Sequence, residues 1–139
     1  MKDEDEPVTH DEVVLRLIWG QFFRDGTIPK ISPKAFLPKS GEADGISVFR
    51  VVCLADPLDV MRVIAEEKRE KYGIARLAVS ELSAMGLTVS PARIESIPGH
   101  AVVPELNIVA VDVDKEQCED WLEALAEIAA RDVIRKPTK

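Results

Sequence analysis

The side chains able to do chemistry lie around one proline-rich stretch and one later turn. Ile31-Ser32-Pro33-Lys34-Ala35-Phe36 and, after a Gly/Asp loop, Gly45-Ile46-Ser47-Val48-Phe49-Arg50 thread small hydroxyls and cations through apolar residues. Buried polar groups either satisfy the backbone or face a site. Ser32 and Ser47 can donate to an anionic ligand, and Arg50 can clamp it with two parallel hydrogen bonds. Lys34, with Lys30 and Lys39, adds positive charge sufficient for one phosphate or carboxylate. His100 follows the Pro98-Gly99 turn at the head of an apolar run, where an imidazole can act as acid or base at a cleft rim. The commoner structural alternatives are a turn bond from Ser32 before Pro33, solvated lysines, an Arg50 that snorkels or pairs with Asp44, and a packing role for His100. Asp44 and Glu105, near expected strand ends, are further acid or base candidates.

No G-x-G-x-x-G, Walker A, H-E-x-x-H, EF-hand or G-x-S-x-G pattern occurs. Cys53 and Cys118 stand far apart among apolar neighbours, which fits buried thiols better than a disulfide. With His10 and His100 they form no ligand-spaced pair, so neither a structural metal nor a cofactor is expected.

The order Arg16, Ser32, Glu105 resembles the Arg-Ser-Glu arrangement of ADP-ribosyltransferases, which carry these groups on strands of a split sheet around NAD. The resemblance covers three residues, without the Ser-Thr-Ser triplet and with a short interval between Arg16 and Ser32. It implies a strand at Arg16 and NAD-dependent ADP-ribosyl transfer.

Positioning these groups is a task for one domain of 139 residues, 46% hydrophobic and 31% charged. The net charge of −7 and a pI of 4.9 oppose attraction to nucleic acid. The acidic opening Met1-Lys2-Asp3-Glu4-Asp5-Glu6 is unlike a secretory leader, and no apolar run is long enough to span a membrane, so a cytoplasmic chain is expected. Residues 1–8 read as a disordered acidic lead and 9–139 as a single globular domain.

Thr9-His10-Asp11-Glu12 has the form of a capping box, and the apolar spacing after it favours a helix to about Phe23. The alternative is a buried strand with Arg16 as its lone polar insertion. Residues 26–45, rich in Pro and Gly, read as a loop pinned to the core by Ile28, Ile31, Phe36 and Leu37. Ile46–Leu54 reads as a central strand, Asp56 as the cap of a helix running to Gly73, and 74–79 as a strand. A helical turn at 80–86, an edge strand at 87–94 interrupted by Pro91, and strands at 100–103 and 106–113 follow. The last helix runs from Asp114 to Pro137. The sum is an α+β fold with a small mixed or antiparallel sheet of four to five strands and two or three packed helices.

Two functions fit. One is a protein-binding or accessory module that docks on a protein partner, or on itself, through Phe22, Phe23 or Phe36. The other is a small enzyme acting on an anionic metabolite or nucleotide, with His100 as acid or base and Ser32, Ser47 and Arg50 orienting the substrate. A cleft joining those four residues favours the enzyme.

Overall fold

The computed structural model describes residues 3–24, 30–39 and 41–138, so the Asp25-Gly26 turn, Ile28 and Pro29 lie outside the described residues. In chain order its strands are β1 (Val13–Trp19), β2 (Phe23–Arg24), β3 (Lys30–Ile31), β4 (Ile46–Arg50), β5 (Tyr72–Ala78), β6 (Ser90–Pro91), β7 (His100–Val103) and β8 (Val133–Arg135). Six form one sheet in the order β6-β7-β4-β1-β5-β8, every pairing antiparallel, while β2 and β3 form a separate two-stranded ladder. Among the described residues three α-helices accompany them: α1 (Val79–Ala84), α2 (Ile108–Val113) and α3 (Lys115–Ala130). The chain is therefore α+β, with short rim strands carrying the sheet beyond the expected four or five.

The segment favoured as a first helix is the central strand instead. All seven residues of β1 pair with β5, from Val13 opposite Ala78 to Trp19 opposite Tyr72. Glu12 does reach back to the Thr9 N–H, at 2.8 Å, but that local turn feeds a β-branched run that is mostly buried until the exposed Trp19. Alternation then sorts the side chains: Val14 and Ile18 join Ile46, Val48, Ala75, Leu77, Ala101 and Val103 on one face, and Leu15 joins Phe49 and Ile74 on the other.

Helix α3 covers the first face with Leu122, Leu125, Ala126 and Ala129. Ile31, Ala35 and Phe36 are buried in the same cluster, so this part of the proline-rich segment is drawn against the core. Full burial of a side chain such as Phe36 stabilises by about 1.5–3 kcal/mol. Phe22 and Phe23 also pack on this cluster. None of the three aromatics expected at a docking surface stands free.

The second face is covered by Leu54, Val60, Met61 and Ile97. Its cover is not the long helix expected after Asp56. The Asp56–Asp59 capping box and Pro57 start a 3-10 helix that stops at Val63, and a second runs from Glu66 to Lys71. Arg69 Nε donates to the carbonyls of Met61 and Ile64, at 3.0 and 2.9 Å, tying the second 3-10 helix to the end of the first.

Two later expectations also give way. Leu106–Val113 holds α2, because Asn107 caps it through Ala110 N–H at 2.8 Å. The last helix ends at Ala130, and Val133–Arg135 pair with β5. Pro91 lies at the sheet edge, as expected. No described helix is long and apolar enough to cross a membrane.

Candidate functional site

β4 and β7 run antiparallel with Ser47 opposite Val102 and Phe49 opposite His100. Ser47 and His100 are thus diagonal neighbours on one face, within reach of each other's side chains. Their contact is direct: His100 Nε2 lies 2.9 Å from Ser47 Oγ. The other ring nitrogen, Nδ1, bonds the Ala92 carbonyl just beyond β6. A carbonyl can only accept, so Nδ1 carries a proton, and the tautomer this selects is the one that leaves the Nε2 lone pair facing the Ser47 hydroxyl. The Phe49 ring, 5.3 Å away between centroids, packs obliquely against the imidazole.

Gly99 sets the entry of His100 into β7. Its φ of +90° suits glycine, and a Cβ there would stand 2.8 Å from Cys53 Cβ. The Gly99 carbonyl also accepts from Arg50 N–H at 2.9 Å, tying the turn to the end of β4.

Ser47 and His100 line a cleft of about 290 Å3 together with Lys39, Tyr72, Phe49 and the Arg16–Glu42 pair. The registered pairs of β1 with β4 are Val14–Arg50 and Leu15–Phe49. Beyond them the Arg16 guanidinium bridges the two strands. It donates to the Ser47 carbonyl at 3.0 Å, to the Ala35 carbonyl at 2.9 Å and to Glu42 at 2.6 Å. Glu42 in turn accepts from the N–H groups of Ser47 and Lys39, at 2.6 and 2.9 Å. Burial by itself would raise the Glu42 carboxyl, but the Arg16 charge and these hydrogen bonds outweigh it and hold the group below its ordinary value.

Lys39 is pushed the other way, down to about 8, by burial and then by the Arg16 charge, with Glu42 opposing. Its ammonium stands 5.1 Å from the centroid of the Phe22 ring. Two cations, Arg16 and Lys39, against one carboxylate, Glu42, leave the lining with an excess of one positive charge. The chain as a whole carries −7.

The remaining expected site residues are elsewhere. Arg50 has no solvent exposure. It is held by Glu12, at 2.7 and 2.9 Å, and by the carbonyls of Glu4, Glu6 and Pro7 in the acidic lead. The Glu12 hydrogen bonds raise its pKa further. Such an arginine has no donor left for a ligand, and its partner is Glu12 rather than Asp44. Ser32 caps the Pro33–Phe36 turn by accepting from Lys34 N–H, and the Lys34 side chain is exposed. Glu105 accepts from Thr88 N–H and Oγ1 at 2.9 and 2.7 Å. Arg16 is on a strand, yet neither Ser32 nor Glu105 lines the cleft beside it.

Of the residues singled out in the sequence, Ser47, His100 and Lys39 share this cleft, Lys39 beside Arg16 rather than Arg50, whereas Glu42 and Tyr72 line it without having been singled out. The lone polar position in β1 was the available signal for Glu42, since a buried guanidinium requires a carboxylate. A wider open groove of about 800 Å3 lies between Ile31, Pro33 and α3 at Ala126 and Ala130, and neither Ser47 nor His100 lines it. Family models, curated proteins and solved structures yield no match to this chain.

Proposed function

We propose that the protein binds a small anionic metabolite in the cleft beside β4 and β7, with His100 as the acid–base group. The carrying observation is the Ser47–His100 hydrogen bond within a concave lining, its imidazole oriented by the Ala92 carbonyl. A base aligned on a hydroxyl, with a third group fixing the tautomer, is the arrangement that moves protons to and from a bound molecule. The ligand's charge follows from the excess cation at Lys39, whose attraction acts in a partly dehydrated cleft. Its size follows from the roughly 290 Å3 available, near the lower end for ligand pockets.

The test is to follow the His100 ring resonances by NMR at low salt while adding small carboxylates and phosphorylated metabolites. Saturable shifts at His100 that weaken in Lys39→Met are expected. A panel that leaves His100 unmoved sinks the reading.

Docking on a protein partner or a second copy is a separate reading. Trp19 at 42% exposure and, on α2, the consecutive Ile108 and Val109 at 47% and 70% support it. Sedimentation of the wild type against Val109→Glu checks self-association, which this reading expects the charge to weaken.

A further inference from the structure

We infer that Ser47 is a nucleophile toward small, negatively charged acyl compounds, with His100 as its base and Lys39 as the group facing the developing charge. This rests on the anionic-ligand reading above and adds a reaction to it. The hydroxyl and the base are 2.9 Å apart, and the ring is held from behind at Nδ1. A main-chain carbonyl there does the positioning part of what a carboxylate does in hydrolytic triads: it fixes the tautomer and aims Nε2, without the carboxylate's charge.

An ester is cleaved in two steps through an acyl-Ser47 intermediate. The Ser47 proton passes to Nε2 while Oγ bonds the carbonyl carbon, whose oxygen takes up the electron pair. Collapse re-forms the carbonyl, breaks the bond to the leaving alkoxide and returns the proton from Nε2 to that oxygen. A water molecule then gives a proton to Nε2 and bonds the acyl carbon. Ser47 departs, recovering the proton, and the net change is ester plus water to carboxylic acid plus alcohol.

Ser47 differs from a nucleophile on a strand-to-helix elbow, because its own N–H is taken by Glu42 at 2.6 Å. That amide cannot serve the oxyanion, so the charge must be met from the side-chain lining, where Lys39 is the cation that Glu42 does not bind directly through its side chain. Arg16 has each N–H already committed. Lys39→Met therefore slows acylation without removing the nucleophile.

The experiment treats the intact protein with a small alkyl fluorophosphonate, in which attack by Oγ forms an O–P bond and expels fluoride. The adduct is then located by tandem mass spectrometry. One adduct on Ser47 is expected, absent from Ser47→Ala and formed about 100-fold more slowly or worse in His100→Gln, the minimum for loss of a general base. His100→Asn gives a second variant, and thermal melting confirms that each is folded. No adduct, an adduct on Tyr72 instead, or an unchanged rate in both folded His100 variants overturns the inference. Anion titration of Ser47→Ala separates the two claims: ligand-induced shifts at His100 without labelling of wild type refute the nucleophile alone, and neither effect refutes both.

Discussion

Two buried arginine–glutamate pairs stand at opposite ends of the contact between β1 and β4, and they have different neighbours. Arg50 and Glu12 are sealed: the guanidinium uses every N–H on Glu12 and on three carbonyls of the acidic lead. Arg16 and Glu42 are nearly as buried, at 3% and 8% exposure, but border a cleft that holds Lys39, Ser47 and His100. A buried ion pair adds little net stability over an apolar substitute and costs much to break, so its value lies in what it fixes. The first pair fixes the chain before β1 against the end of β4. The second fixes Ser47 from both sides, with its carbonyl on Arg16 and its N–H on Glu42.

The largest test of that contrast is Glu12→Gln. It strands a charge without solvent access, and a loss of about 3–5 kcal/mol in urea unfolding is expected. A loss under about 1 kcal/mol, the scale of one neutral hydrogen bond, means that the carbonyls of Glu4, Glu6 and Pro7 hold Arg50 unaided.

Glu42→Gln should cost less, about 1.5–3 kcal/mol, the range for hydrogen bonds to a charged group, because the cleft gives water a route to Arg16. It should also change the acid limb of stability. The folded carboxyl titrates below its ordinary 4.5, so its contribution is complete above that value and lost as pH falls through the lowered one. Unfolding free energies measured through that range should fall less steeply in the glutamine variant than in wild type. Parallel slopes would remove Glu42 as the source.

Lys39→Met is the mildest change and the most specific to the cleft. Between about 8 and 10.5 the unfolded chain holds a proton on Lys39 that the folded chain has released, so wild-type stability gains with rising pH across that window from this group. The methionine variant should lose that gain, as read from denaturant midpoints at pH 7.5 and 10. An unaltered difference between the two midpoints contradicts the assignment.

The elements that were legible in the amino-acid order were those with a local cause. Pro57 after Asp56, Pro91 at an edge and the apolar stripe of α3 are decided within a few residues of themselves. Val13–Trp19 was not, because its spacing suits a helix and a strand alike and the decision comes from pairing with β5, more than fifty residues on. At α2 the reverse occurred: one asparagine cap outweighed the β preference of Ile108, Val109 and Val111. The site divides in the same way. Turn signals placed Ser47 and His100 at strand ends, but only the register of β4 with β7 brings them together. Arg50 and Arg16 look alike along the chain, and their fates were set by carboxylates 38 and 26 residues away.

The rims of the main sheet have a practical consequence. β6 offers two residues, one of them Pro91, which has no amide hydrogen to give, and β8 offers three beside an irregular pairing with β5. Unpaired strand borders are where chains stack edge to edge into amyloid-like ribbons, and short, proline-blocked or kinked borders resist this. Concentrated solutions of the folded protein should therefore resist fibril growth through these borders.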